Sequence, residues 1–173
     1  MKIFLIGLSG TGKSTIGKQL SSRLKVSFLD SDTVIEKNEQ KSISEIFRIH
    51  GELYFRGLES KLLSGLPNTS EQDCVVSTGG GMPCFNQNMD KMLEQGIVIQ
   101  LTMPLEMLAS RLEKSSNRPL LTENTIEKLK NQFNDRNSTY SKAHITIQSI
   151  NWNASKLNDL VEQLNQIDSI RPS

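Results

Sequence analysis

The chain has 173 residues, enough to bury one core and short for two independent ones. Its 20 basic and 19 acidic residues leave a formal charge of +1, which supplies no field for holding nucleic acid or an anionic membrane surface. The reading is a single domain over residues 1–173 that meets small molecules in a pocket and works in the cytoplasm. The apolar stretch before Gly7 is too short for a signal peptide or a membrane span, and Cys74 and Cys84 match neither redox nor zinc spacing, so both read as packing residues.

The first apolar run, Lys2–Ile6, reads as a buried strand. It leads straight into Gly7-Leu8-Ser9-Gly10-Thr11-Gly12-Lys13-Ser14, and helical periodicity follows over Thr15–Leu24. A glycine-rich turn between a strand and a helix is a phosphate cradle: glycines let the backbone wrap an anion, and successive N–H groups with the helix N-terminus point at it. Gly10, Thr11, Gly12, Lys13, Ser14 and Thr15 are therefore the candidate ATP-binding set, with Lys13 on the β- and γ-phosphates and the Ser14 hydroxyl on Mg²⁺.

Val26–Leu29 reads as the second strand and is followed by Asp30-Ser31-Asp32. On an extended backbone these two carboxylates project to one side, where one supports Mg²⁺ and the other orients or deprotonates a substrate hydroxyl. The bland alternative is that Asp30 or Ser31 caps a following helix. Helical periodicity continues over Ile43–His50 and Tyr54–Leu66, where Arg56 and Glu59 share a face as a surface ion pair or as an anion-binding arginine held by its carboxylate.

The third strand, Cys74–Ser77, opens into Thr78 and the glycines Gly79, Gly80 and Gly81, which remove every Cβ at the mouth of the sheet. Ser77 is the nearest polar candidate for the Mg²⁺ shell at this strand end, with Asp30 supplying charge. Beyond it lie a helix over Gln87–Leu93, a strand over Ile97–Leu101 and a helix over Leu105–Leu112. Glu113–Glu123 breaks periodicity and reads as a lid or a plain surface loop, flanked by Arg111 and carrying Arg118. A helix over Thr125–Phe133, then Arg136, a strand over Ile145–Ile147 and a helix over Ala154–Ile167 complete the chain. Strands alternating with helices imply a parallel sheet covered on both faces, with ligands beyond the carboxyl ends of its strands.

In this order, Gly7–Ser14, Asp30-Ser31-Asp32, Gly51-Glu52 with Phe55-Arg56 and Glu59, Gly79-Gly80-Gly81, Arg118-Pro119-Leu120-Leu121, and Arg136 with Tyr140 resemble the motifs of the shikimate kinase family. The resemblance implies a three-layer α/β/α fold with a five-stranded parallel sheet in order 2-3-1-4-5, a substrate-binding region at about 31–62 and a mobile lid at about 111–124. It also implies transfer of the γ-phosphoryl group of ATP to the 3-hydroxyl of shikimate, by a monomer that uses Mg²⁺. Asp32 then contacts the acceptor hydroxyls, Arg56, Arg136 and Gly79–Gly81 hold shikimate, and Ser14, Asp30 and Ser77 surround Mg²⁺. Lys13 and Arg118 stabilise the moving phosphoryl group, and Arg111 and Asn153 lie near adenine. Ser138, where many members have proline, leaves the placement of Arg136 open. The rival readings are a related kinase for another small acceptor, such as gluconate or a nucleoside monophosphate, and a nucleotide-operated switch; the N-K-x-D and D-x-x-G motifs of a GTPase are missing.

Overall fold

The computed structural model describes residues 1–66, 73–116 and 123–170. Strands β1 (Lys2–Ile6), β2 (Ser27–Asp30), β3 (Cys74–Ser77), β4 (Ile97–Thr102) and β5 (Ile145–Gln148) form one parallel sheet in the order β2-β3-β1-β4-β5. Helices α1 (Lys13–Leu24), α2 (Ser31–Glu39), α3 (Ile43–Ser64), α4 (Asn88–Gln95), α5 (Leu105–Ser116), α6 (Glu123–Tyr140) and α7 (Ala154–Ile170) connect and cover it, with one 3₁₀ turn at Met82–Cys84.

The uninterrupted apolar character of β1 follows from its central place. Ile3 and Leu5 pack with Ile16 and Leu20 of α1 and Leu160 and Leu164 of α7. Phe4 and Ile6 face the other way, toward Leu63, Met89, Met92, Leu108 and Tyr140. A strand buried on both faces has no polar position to alternate with, and the result is three layers. No helix among the described residues is long and apolar enough to cross a membrane.

Three local departures from the sequence reading bear on function. The expected break between Ile43–His50 and Tyr54–Leu66 is a kink within α3, centred on Gly51 at φ 79°, ψ 175°, and the helix starts at a Ser42–Glu45 capping box. Ser31–Glu39 is a helix that periodicity did not announce, so Asp32 stands in a first helical turn rather than on extended backbone. Helix α5 continues to Ser116 and α6 begins at Glu123, so both ends of the stretch expected to break periodicity are helical; Arg118, Pro119, Leu120 and Leu121 lie outside the described residues.

Candidate active site

The strand ends of β1, β2 and β3 open on a cleft of about 430 Å³ whose wall includes Gly12, Lys13, Ser14, Thr15, Asp30, Asp32, Ser77, Gly79, Gly80 and Arg111. Its floor is the loop between β1 and α1. Gly7, Gly10 and Gly12 have φ of 137°, 85° and 93°, and a Cβ on Gly7 would stand 2.4 Å from the Leu101 carbonyl oxygen, so this path is open to glycine. Thr11 is buried and closes the loop from within by donating to Leu8 O at 2.8 Å. Lys13 is folded over the same loop, its Nζ donating to Gly7 O at 2.9 Å and Leu8 O at 2.8 Å. Burial lowers its pKa to about 8 against the pull of Asp32 and Asp30.

Asp30 caps α2 and also reaches the phosphate loop. Its Oδ1 accepts from the backbone N–H groups of Asp32 (3.2 Å) and Thr33 (3.4 Å), capping α2. Its Oδ2 accepts from Ser14 Oγ at 2.5 Å, and Ser14 Oγ is 3.2 Å from Ser77 Oγ. These hard oxygen donors at the first turn of α1 suit a small divalent cation that keeps several waters and takes phosphate oxygens for its remaining positions. Among the described residues no group of three or more His, Cys, Asp or Glu forms a protein-only metal cage.

Asp32 lies beside this group on the same cleft wall. Burial raises its pKa above the usual carboxylate range, the Asp30 charge raises it further, and a hydrogen bond from Ser31 Oγ (3.3 Å) opposes the shift. Asp32 is therefore a stronger proton acceptor than a solvated aspartate.

Arg56 is buried, with 8% exposure, and three of its five N–H groups are held by carboxylates. Nη1 donates to Glu59 Oε2 at 2.7 Å, while Nη2 and Nε donate to Glu52 Oε1 at 3.0 and 3.1 Å. Burial outweighs Arg56 at Glu59 and pushes that carboxyl up to about 7; Glu59 Oε1 has no hydrogen-bond partner among the described residues. Glu52 was not anticipated as a partner, although it stands one helical turn before Arg56 and its spacing carried that signal.

The triple glycine has a geometric explanation. A Cβ on Gly79 would stand 2.7 Å from Asp32 Oδ1 and 2.9 Å from Glu59 Oε1. On Gly80 it would stand 3.2 Å from Arg136 Nη1, and on Gly81 2.6 Å from Arg56 Nη2. Each glycine thus leaves room for a charged side chain arriving from a different element, and none of the three has positive φ. Ser31 Oγ accepts from Gly79 N–H at 2.8 Å, and the buried Tyr140 hydroxyl donates to Gly80 O at 2.5 Å. Helix α6 runs unbroken to Tyr140, so this anchor, one turn after Arg136, fixes the end that Ser138 left open.

The remaining candidates sort clearly. Arg111 lines the cleft, with Nη1 3.8 Å from where a Cβ on Gly12 would lie. Arg56, Gly81 and Arg136 adjoin the cleft rather than line it. Asn153 is exposed and caps α7, its Oδ1 accepting from Lys156 N–H at 3.0 Å, and it is not on the cleft wall. Cys74 is buried in the core at the start of β3, and Cys84 is half-buried beside Thr139; both are free thiols.

The sequence model of the family described as shikimate kinase matches residues 9–166. A shikimate kinase of Clostridium botulinum is 43% identical over 155 residues, covering 88% of this chain and 90% of the relative. The crystal structure of shikimate kinase from Aquifex aeolicus superposes with a TM-score of 0.82 at 34% identity, covering 98% of this chain and 99% of that one. Shikimate kinase from Acinetobacter baumannii, solved in complex with shikimate, gives the same TM-score and identity over 98% of this chain and 95% of its own.

Proposed function

The chain belongs to the shikimate kinase family, and from that membership we propose how its cleft moves the γ-phosphoryl group of ATP to the 3-hydroxyl of shikimate. The observation that carries the proposal is the convergence of Asp32, Glu59, Arg136 and Arg56 on three adjacent glycines beside the phosphate loop. A cyclic acceptor with hydroxyls and a carboxylate needs a carboxylate for the former and cations for the latter, and both lie within one glycine run of the phosphate cradle.

Arg56 and Arg136 hold the acceptor carboxylate. The Arg56 N–H groups are already tethered by Glu52 and Glu59, so part of the side-chain freedom is lost before the anion arrives. Asp32 accepts a hydrogen bond from the reacting hydroxyl and takes its proton as the new O–P bond forms, a role its raised pKa favours. On the donor side, backbone N–H groups of residues 10–14 wrap the phosphates and Arg111 lies along the nucleotide flank. Lys13 exchanges its contacts with Gly7 O and Leu8 O for phosphate oxygens and neutralises charge as the bond to the leaving ADP breaks.

Ser14, Asp30 and Ser77 are the residues that would hold Mg²⁺. When bound, that ion supplies charge neutralisation on the phosphate oxygens. Alignment and charge compensation suffice for phosphoryl transfer, and no residue here is called on to form a covalent intermediate.

The test is the identity of the product. With ATP and shikimate, phosphorus-coupled proton NMR should place the new phosphate on the 3-hydroxyl. Phosphate on another hydroxyl would mean that Asp32 does not address the reacting position.

A further inference from the structure

The segment between the Met82–Cys84 turn and α4 carries two consecutive non-glycine residues in the left-handed region, Asn86 at φ 52° and Gln87 at φ 57°. Such a backbone persists where other contacts hold it. Asn86 provides those contacts. Its Nδ2 donates to Arg56 O at 3.2 Å and to Ser60 Oγ at 2.9 Å, tying the segment to the half of α3 that bears the substrate-binding arginine.

The tie decides where Phe85 sits. Its ring centroid lies 4.3 Å from Arg56 Cζ, closer than Phe55 at 5.3 Å or Phe47 at 5.9 Å. Phe85 remains 37% exposed, so its position is not explained by burial in the core. Glu59 and Glu52 hold the guanidinium N–H groups by their edges, and Gly81 allows the backbone to approach within contact. A carboxylate fork fixes hydrogen-bond distances but leaves the guanidinium plane free to tilt, whereas a ring at cation–π distance restrains that tilt.

We propose that Phe85, set in place by Asn86, is a positioning residue that orients the Arg56 guanidinium for the acceptor carboxylate. The proposal rests on the reading of Arg56 given above. It adds a selective contact from a segment that is remote in sequence from α3 and does not line the phosphate cleft. A cation–π contact at a partly exposed site is modest, so the effect belongs in the acceptor KM and leaves the chemical step alone.

The experiment measures kcat and both KM values for Phe85→Leu, Phe85→Tyr and Asn86→Ala, and for Phe85→Leu in an Arg56→Lys background. Leucine keeps apolar bulk and removes the ring face; tyrosine keeps the face. Phe85→Leu should raise the shikimate KM about fivefold, with kcat and the ATP KM within about twofold. Phe85→Tyr should stay close to the parent, and Asn86→Ala should reproduce part of the rise. In the Arg56→Lys background, Phe85→Leu should add less than about twofold, because the plane it orients is gone. An unchanged KM in Phe85→Leu, an equal rise in both backgrounds, or a tyrosine variant as impaired as leucine overturns the proposal. If Arg56→Lys alone leaves the shikimate KM unaltered, the reading of Arg56 fails and this proposal falls with it.

Discussion

Gly81→Ala isolates the role of the triple glycine. Gly81 has φ −87° and ψ −21°, which alanine adopts freely, so the substitution adds one methyl group and no backbone strain. That methyl would stand 2.6 Å from Arg56 Nη2 and 2.8 Å from both Nη1 and Cζ, where ordinary contact begins at 3.4 Å. The guanidinium must retreat by about 0.8 Å. A flexible side chain normally yields at little cost, but this one is held by Glu59 at 2.7 Å and Glu52 at 3.0 Å. Retreat stretches a charge-assisted hydrogen bond or turns the fork away from the acceptor, at about 1.5–3 kcal/mol. The shikimate KM should therefore rise about 10- to 100-fold while the ATP KM moves less than about twofold. Steady-state kinetics with each substrate varied in turn reads both constants, and a thermal melt reports whether the fold survives. An unchanged shikimate KM, or equal rises for both substrates, would refute the argument that this glycine exists to admit Arg56.

Three further perturbations test other links. Burial lowers the Lys13 pKa from 10.5 to about 8, and the phosphates need its charged form, so kcat/KM for ATP should fall as pH rises through about 8. Between those two values the unfolded chain binds the proton that the folded chain has released, so this lysine's contribution to stability increases with pH while activity declines; a flat profile to about pH 10 contradicts the assignment. Glu59, raised from 4.5 to about 7, contributes stability that is fully present below 4.5 and lost as pH rises through 7. Glu59→Gln should flatten that slope in urea-unfolding midpoints taken across the interval, and an unchanged slope would show that Glu59 is not its source. Gly17→Ala would place a Cβ 2.6 Å from Phe28 Cε2 and 3.1 Å from Leu5 Cδ1 on the sheet face of α1. Overpacking should outweigh the gain in helix propensity by about 1 kcal/mol and lower Tm by about 2–4 °C with both KM values unaltered, whereas a higher Tm would mean that the interface yields.

Much of the fold was legible because its signals are local. β1 is apolar at Ile3, Phe4, Leu5 and Ile6 because both faces are covered, and the alternation of such runs with helical periodicity leads to a parallel sheet. Helix α2 was signalled by a cap and not by periodicity, because Ser31–Glu39 buries only Ser31 and Ile35 and leaves little apolar pattern to read. Its start was nevertheless visible in Asp30, read as a cap or as support for Mg²⁺; the same carboxylate caps α2 and accepts a hydrogen bond from Ser14 Oγ. The ion pair of Arg56 with Glu59 followed from helical spacing, as Glu52 should have.

What was not legible depends on contacts distant in sequence. The glycines at 79–81 announced close approach, but that the approaching groups are the protein's own Asp32, Glu59, Arg136 and Arg56 required the fold. Nothing in the spacing of Phe85 places it over a guanidinium from α3, and Asn153 looked the same whether it met a base or capped α7. The raised Asp32 pKa arises first from burial, which a pair of aspartates two residues apart does not reveal, although the Asp30 charge that raises it further belongs to that pair.

The central claim is that the cations and carboxylates gathered at Gly79–Gly81 select shikimate as the phosphoryl acceptor. The most direct measurement is ADP release from Mg·ATP by the purified chain, with shikimate, gluconate, AMP or water supplied in parallel. Release that depends on shikimate alone is the predicted result. Equal or greater release with gluconate or AMP would leave the phosphate loop with its role and contradict the assignment of the acceptor site.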